Sequence, residues 1–158
     1  MASPSLSELQ SSIGVGWVVV TDSDAAPFGQ LLLDGRHVMP ADEPAPAGGQ
    51  DTGPSPYELL LMSLGACTSM TLRMYATRKQ LPLERVLVRL KHNKVHVEDC
   101  VNCESRNAMI DRIERQIELF GPLDAAQRQR LMEIADKCPV HRTLTGKIEI
   151  HTALVPTG

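Results

Sequence analysis

The chain has 158 residues, with sixteen Lys and Arg against nineteen Asp and Glu for a formal charge of -3. That length suits one domain with its own core, and the slightly acidic balance excludes the basic footprint of a nucleic-acid-binding protein. Only 3% of residues are aromatic, so seven Met together with Leu and Ile must fill the interior, which favours an adaptable core able to hold a small apolar ligand.

Residues 1–12 are polar and lack a basic segment followed by an apolar run, so they read as a flexible lead-in to a single domain over 13–158, and a cytoplasmic location is expected. Four cysteines in such a compartment point to redox or metal roles rather than permanent cross-links. Val15 to Thr21, Phe28 to Leu33 and Arg36 to Met39 are strand-like, the last two joined by a tight Asp34-Gly35 turn. Pro40 to Pro54, with four prolines, three glycines and three acids, must be a loop, long enough to act as a lid.

Ser55 as N-cap, Pro56 at the first helical position and Glu58 three residues past the cap start a helix that runs to Lys79. It is apolar on nearly every side from Leu59 to Leu64, which predicts a helix wrapped by other elements, with no apolar run long enough to span a membrane. At about 100° per residue, Cys67 shares a face with Leu60, Ser63, Leu64, Met70, Thr71 and Met74, so a buried thiol is expected.

Arg85 to Val97 alternates as a strand does, but its apolar parity changes, so a bulge or turn is expected near His92-Asn93-Lys94. Residues 108–120 fit either state, since Ile110, Ile113, Ile117 and Phe120 make a helical stripe while Met109, Ile113, Ile117 and Leu119 share strand parity; periodicity alone leans to helix. Asp124 with Gln127 caps a helix to about Lys137, and Cys138 before Pro139 is its expected exit. Leu131, Ile134, Ala135 and Cys138 form one apolar stripe, so a second thiol faces inward. Lys147 to Val155 alternates as a final half-exposed strand.

The two cysteine contexts, Gly65-Ala66-Cys67-Thr68-Ser69-Met70 and Ala135-Asp136-Lys137-Cys138-Pro139-Val140-His141-Arg142, resemble the OsmC/Ohr family. The resemblance extends through Gly35-Arg36-His37, Ala41-Asp42-Glu43-Pro44, Gly53-Pro54-Ser55-Pro56-Tyr57-Glu58-Leu59-Leu60 and Asp111-Arg112-Ile113-Glu114-Arg115, and looks closest to the OsmC-like branch related to YhfA. It implies an α+β fold with antiparallel sheets packed around a long central helix, an intertwined homodimer, and a strand at residues 108–120. It also implies an oxidative-stress enzyme without a cofactor. Cys67 would attack a small organic hydroperoxide and become a sulfenic acid, Cys138 would resolve it, and an external dithiol such as a lipoylated protein would restore the thiols. A nearby thiol suits that role, because it captures a sulfenic acid before further oxidation makes the damage irreversible.

Cys67 lies too deep in its helix to gain from the N-terminal dipole, so a cation or base must come from elsewhere; Cys138, at a helix C-terminus, is the poorer anion and the better resolver. Peroxidase members carry an arginine in an early strand–loop and a glutamate just after the helix-opening proline. Here Asp22-Ser23-Asp24-Ala25-Ala26-Pro27 has no arginine and Tyr57 stands in the glutamate's place. Glu58, one residue late and on the opposite side of the helix from Cys67, and Arg36, on the third strand, are the candidate replacements, with helix capping and an ordinary surface arginine as the alternatives. A zinc site from Cys100, Cys103, Cys138 and His141 is a competing reading, as are an inert Cys100–Cys103 pair in an acidic loop and a structural His141 beside Arg142. The principal functional alternative is a non-catalytic protein of the same fold that binds small electrophilic or apolar ligands or senses oxidation through its thiols.

Overall fold

The computed structural model describes residues 4–96 and 109–156. The chain forms two compact units, residues 1–60 and 61–158.

In the first unit, Leu6–Ser12 within the lead-in form a helix, α1, opened by a reciprocal cap between Ser5 and Glu8. Strands β1 (Val19–Asp22), β2 (Gln30–Leu33) and β3 (Val38–Ala41) make an antiparallel sheet in the order β1-β2-β3. The meander read from sequence is present, with each strand shorter or shifted. β3 runs through Pro40, which an outer strand tolerates because its missing N–H removes no central ladder bond. Arg36 therefore lies in the turn rather than on the third strand. That turn is held by Asp34, whose carboxylate accepts from the backbone N–H groups of Arg36 and His37 at 2.9 and 2.7 Å. The proline-rich loop contains a 3-10 turn at Ala45–Ala47 and is pinned by Asp42. This buried carboxylate accepts from the Glu43, Gln50 and Thr52 amides and the Thr52 hydroxyl at 2.8–3.2 Å. Burial opposes its ionisation, and those donors outweigh the penalty and hold it below the ordinary carboxylate value.

α2 (Pro56–Lys79) begins as the sequence indicates, with the Ser55 N–H and hydroxyl both donating to Glu58 Oε2 at 2.8 Å. From Leu61 onward it belongs to the second unit, with β4 (Arg85–His96), β5 (Met109–Phe120), α3 (Ala125–Ala135) and α4 (Pro139–Leu144). β4 and β5 pair one to one from Arg85↔Phe120 to His96↔Met109. The bulge expected near His92 does not form. The parity change is absorbed instead by His92 on the inward row, with its Nε2 2.7 Å from Asp111 Oδ1. The helix suggested by the periodicity of 108–120 is likewise overturned. As a strand, this stretch turns Ile113, Ile117 and Leu119 inward and sets Glu114 and Glu118 against Lys91 and Arg89.

The core joins Leu72 and Ala76 of α2 to Leu83, Leu123, and Leu131, Ile134 and Ala135 of α3, with Val86, Ile117 and Leu119 from the ribbon packed against them. Gly65 brings α2 close to the sheet, since a Cβ there would lie 2.9 Å from Leu90 Cδ1. Gly121 ends β5 at φ +127°, where an added Cβ would meet the Pro82 carbonyl oxygen.

Two expectations need correction. α2 is not covered all round: its buried stripe is Leu64, Thr68, Leu72 and Ala76, whereas Met62, Met70 and Met74 are 57%, 65% and 72% exposed. The elements of the second unit cover one face only. By length and composition alone α2 is apolar enough to cross a membrane, but that stripe is buried within the fold. The final strand is also missing: residues 147–156 have no regular structure, and Ile148, Ile150, Leu154 and Val155 are exposed. An alternating sequence becomes a strand only where a neighbour accepts its backbone hydrogen bonds, and none of the described strands pairs with it.

Truncating Leu131, fully buried at the centre of this core, should cost about 2–5 kcal/mol in urea unfolding. A loss below about 1 kcal/mol would show that the core closes without it.

Candidate active site

Cys67 sits mid-way along α2, half-buried beside the stripe that anchors the helix. The other thiol is reached differently from the sequence reading. α3 stops at Ala135 rather than near Lys137, a turn follows, and Cys138 is the N-cap of α4 with Pro139 behind it. Proline at a first helical position loses no hydrogen bond, so Pro139 opens the new helix instead of only closing the old one. The dipole argument for Cys138 therefore changes sign.

Both thiols are free, and they lie close enough that each shifts the other's ionisation. Cys138 is fully buried, which leaves Cys67 as the sulfur a solute can reach. Burial and then the Cys138 thiol push Cys67 above the ordinary thiol value, outweighing the Val140 amide and the Thr71 hydroxyl. For Cys138 burial also opposes ionisation, but the Cys67 thiol, the His141 amide, the Thr68 hydroxyl and the Val140 amide together bring it below the ordinary value. The amides make no full capping hydrogen bond to the sulfur, so they act as oriented dipoles nearby. The Thr68 hydroxyl, whose one proton is directed at the Leu64 carbonyl 2.8 Å away, acts on Cys138 less than the Cys67 thiol and the His141 amide do. Of the two thiols, Cys138 is therefore the one whose surroundings favour ionisation.

Arg115 on β5 is the residue the sequence reading passed over. Its side chain is only 12% exposed and occupies the inward row between Ile113 and Ile117. Nη1 donates to Thr68 Oγ1 at 3.0 Å and to the Ala135 carbonyl at 3.3 Å, and Nη2 to Asp136 Oδ1 at 2.7 Å. A charged residue on the apolar parity of a strand was the available signal, visible only when residues 108–120 are taken as the strand the resemblance implied and not as the helix to which periodicity leaned.

Two clefts adjoin these residues. One, of about 350 Å³, has Leu64, Ile113 and Leu144 as apolar walls and Asp111, Arg115 and His141 as polar ones. The other, of about 420 Å³, starts at Thr71, one turn from Cys67, and runs over Met74, Tyr75 and Pro139 to a rim carrying Arg78 and Lys137.

The site so described is built wholly from the second unit. Arg36 and Glu58 belong to the first: Arg36 is exposed in its turn, and the Glu58 carboxylate is taken up by Ser55. His141 and Arg142 fall in the last turn of α4. Cys100 and Cys103 lie outside the described residues, among which no three His, Cys, Asp or Glu side chains cluster to hold a metal.

The family model for OsmC-like proteins matches residues 48–153. This chain belongs to the OsmC-like family. An OsmC-like protein from Mycoplasma pneumoniae superposes with a TM-score of 0.64 at 17% identity, over 82% of this chain and 86% of that one. The organic hydroperoxide resistance protein OsmC from Legionella pneumophila gives 0.59 at 16% identity, over 84% and 92%. The organic hydroperoxide resistance protein OhrB of Bacillus subtilis gives 0.58 at 19%, over 84% and 93%. No curated protein matches this OsmC-like chain in sequence. The α+β fold, with antiparallel sheets and a long helix, is thereby that of the family.

Followed by ultraviolet thiolate absorbance, the reduced protein should lose its first thiol proton below the ordinary value of about 8.5 and its second above it. Cys138→Ala should abolish the early step, because the remaining Cys67 keeps its burial penalty. An early step that survives in Cys138→Ala and vanishes in Cys67→Ala would reverse the assignment.

Proposed function

We propose that this OsmC-like protein reduces small organic hydroperoxides through a Cys67/Cys138 dithiol–disulfide cycle. The observation that carries the reading is the adjoining pair of free thiols, one accessible and one buried. The Cys138 thiolate takes the Cys67 proton as substrate arrives, so that Cys67 becomes the nucleophile. The Cys67 thiolate attacks the distal peroxide oxygen, the O–O bond breaks, and the alkoxide leaves as an alcohol after protonation. Cys67 is then a sulfenic acid. Cys138 attacks that sulfur, the S–O bond breaks, and water leaves as the disulfide forms. An external dithiol, such as a lipoylated protein in a reducing cytoplasm, would return both thiols. The likeness to the organic hydroperoxide resistance proteins of Legionella and Bacillus supports the substrate class, and the motif resemblance supports the branch related to YhfA.

Arg36 and Glu58 enter this reading as stand-ins for the family's arginine and glutamate. With its carboxylate held by Ser55, Glu58 acts chiefly at the helix start. Stopped-flow oxidation with cumene hydroperoxide should be at least about tenfold faster than for free cysteine and be lost in Cys67→Ser. A rate no faster than free cysteine, or one indifferent to Cys67→Ser, would overturn the peroxidase and leave the alternative of a thiol-bearing binder or oxidation sensor.

We further propose a homodimer. The exposed Met62, Met70 and Met74 face of α2 and the unpaired alternating segment from Ile148 to Val155 are apolar surface that a second copy would cover. Light scattering should give twice the chain mass, and Met70→Glu with Met74→Glu should give a monomer. A monomeric wild type would refute the dimer.

A further inference from the structure

We propose that Arg115 is a positioning residue that holds the two cysteine-bearing segments at bonding distance, rather than the counter-ion of a thiolate. The inference rests on the dithiol reading above and adds to it the group that controls ring closure. Thr68 directly follows Cys67, Ala135 accepts the N–H of Cys138 at 3.3 Å, and Asp136 stands two residues before Cys138. One guanidinium binds all three, so it ties α2 to the turn that delivers the second thiol. Its charge is met by Asp136 at 2.7 Å, which leaves it committed to that turn.

The chemistry of each acceptor fits the role. Thr68 is fully buried and its proton goes to Leu64, so its oxygen takes the Arg115 donor instead of resting unpaired. Ala135 ends α3, and its carbonyl accepts both the Cys138 N–H and the Arg115 guanidinium, each at 3.3 Å. For stability alone the inward row between Ile113 and Ile117 would do as well with an apolar side chain, because a buried ion pair is often no better than one. What an apolar residue lacks is the planar fork that fixes separate segments at once, and a lysine, with a single compact ammonium, lacks it too.

Disulfide closure demands narrow geometry, with sulfurs about 2.05 Å apart and a restricted torsion. Holding both segments raises the effective concentration of Cys138 at the Cys67 sulfenic acid. In the cycle Cys138 supplies the attacking sulfur, the S–O bond of the sulfenic acid breaks, and water leaves. Arg115 gains and loses no proton in that step.

The test is a redox titration of the full chain against mixtures of reduced and oxidised dithiothreitol, read by counting free thiols. It reports closure without any peroxide. Arg115→Met and Arg115→Lys should need at least about fivefold more oxidised dithiothreitol for half-oxidation than wild type. With cumene hydroperoxide they should also accumulate a Cys67 sulfenic acid trapped by a dimedone-type reagent. A merely structural arginine would lower the melting temperature of reduced and oxidised forms alike and leave the titration unmoved. Midpoints within about twofold of wild type for both variants would overturn the proposal. Should Arg115→Met fail to fold, Arg115→Lys and Thr68→Val carry the same expectation, and unchanged midpoints in them overturn it. A wild type that ignores peroxide removes the peroxidase, while the dithiothreitol midpoints still decide the clamp.

Discussion

The burial of Leu64, Thr68, Leu72 and Ala76 along one face of α2 is the constraint on which the second unit depends. Residues four apart stack on a helix, so this single row fixes how the helix is rotated against the β4–β5 ribbon and α3. Cys67 immediately precedes Thr68 and is carried to the edge of the buried row, half covered and still reachable. Were the helix turned by one residue, the thiol would either enter the core or face solvent away from Cys138. Gly65 allows the close approach to Leu90 on which that rotation relies.

Polar chemistry is threaded through this apolar contact at one point. Thr68 lies within the buried row, and Arg115 lies within the inward row of β5. Their hydrogen bond satisfies a buried hydroxyl and a largely buried charge together, with Ala135 and Asp136 completing the set. The thiols sit beside that network. Cys138 is held at the N-terminus of α4, where its neighbours favour the anion, whereas Cys67 is penalised by burial and by its partner. Accessibility and acidity are thus divided between the two sulfurs.

Much of the site was legible in the chain. The stripe of Leu131, Ile134, Ala135 and Cys138 is buried as drawn, whereas Cys67 is only half-buried and its expected face-mates Ser63, Met70 and Met74 are exposed. The helix starts at Pro56 and Ala125 followed from capping residues whose hydrogen bonds are local, Ser55 with Glu58 and Asp124 with Gln127. Such contacts span three residues, so nothing distant can overrule them. Arg115 was hidden for a different reason. Its role depends on strand parity, and the spacing of Ile110, Ile113 and Ile117 fits a helix equally well until the ladder to β4 decides between them.

By itself the sequence determined the local elements, the capped helix ends, the prolines that bound them and the second thiol turned inward. All of these depend on interactions within a few residues or on apolar periodicity along one element. Periodicity leaned to a helix at residues 108–120 where the resemblance implied a strand, and the tertiary structure decided between them, as it decided that Cys138 opens a helix instead of closing one and that a guanidinium from β5 joins Thr68 to Asp136. The strand turns on its ladder to β4, and the bonds of the guanidinium span twenty to forty-seven residues, contacts whose energies no local pattern encodes.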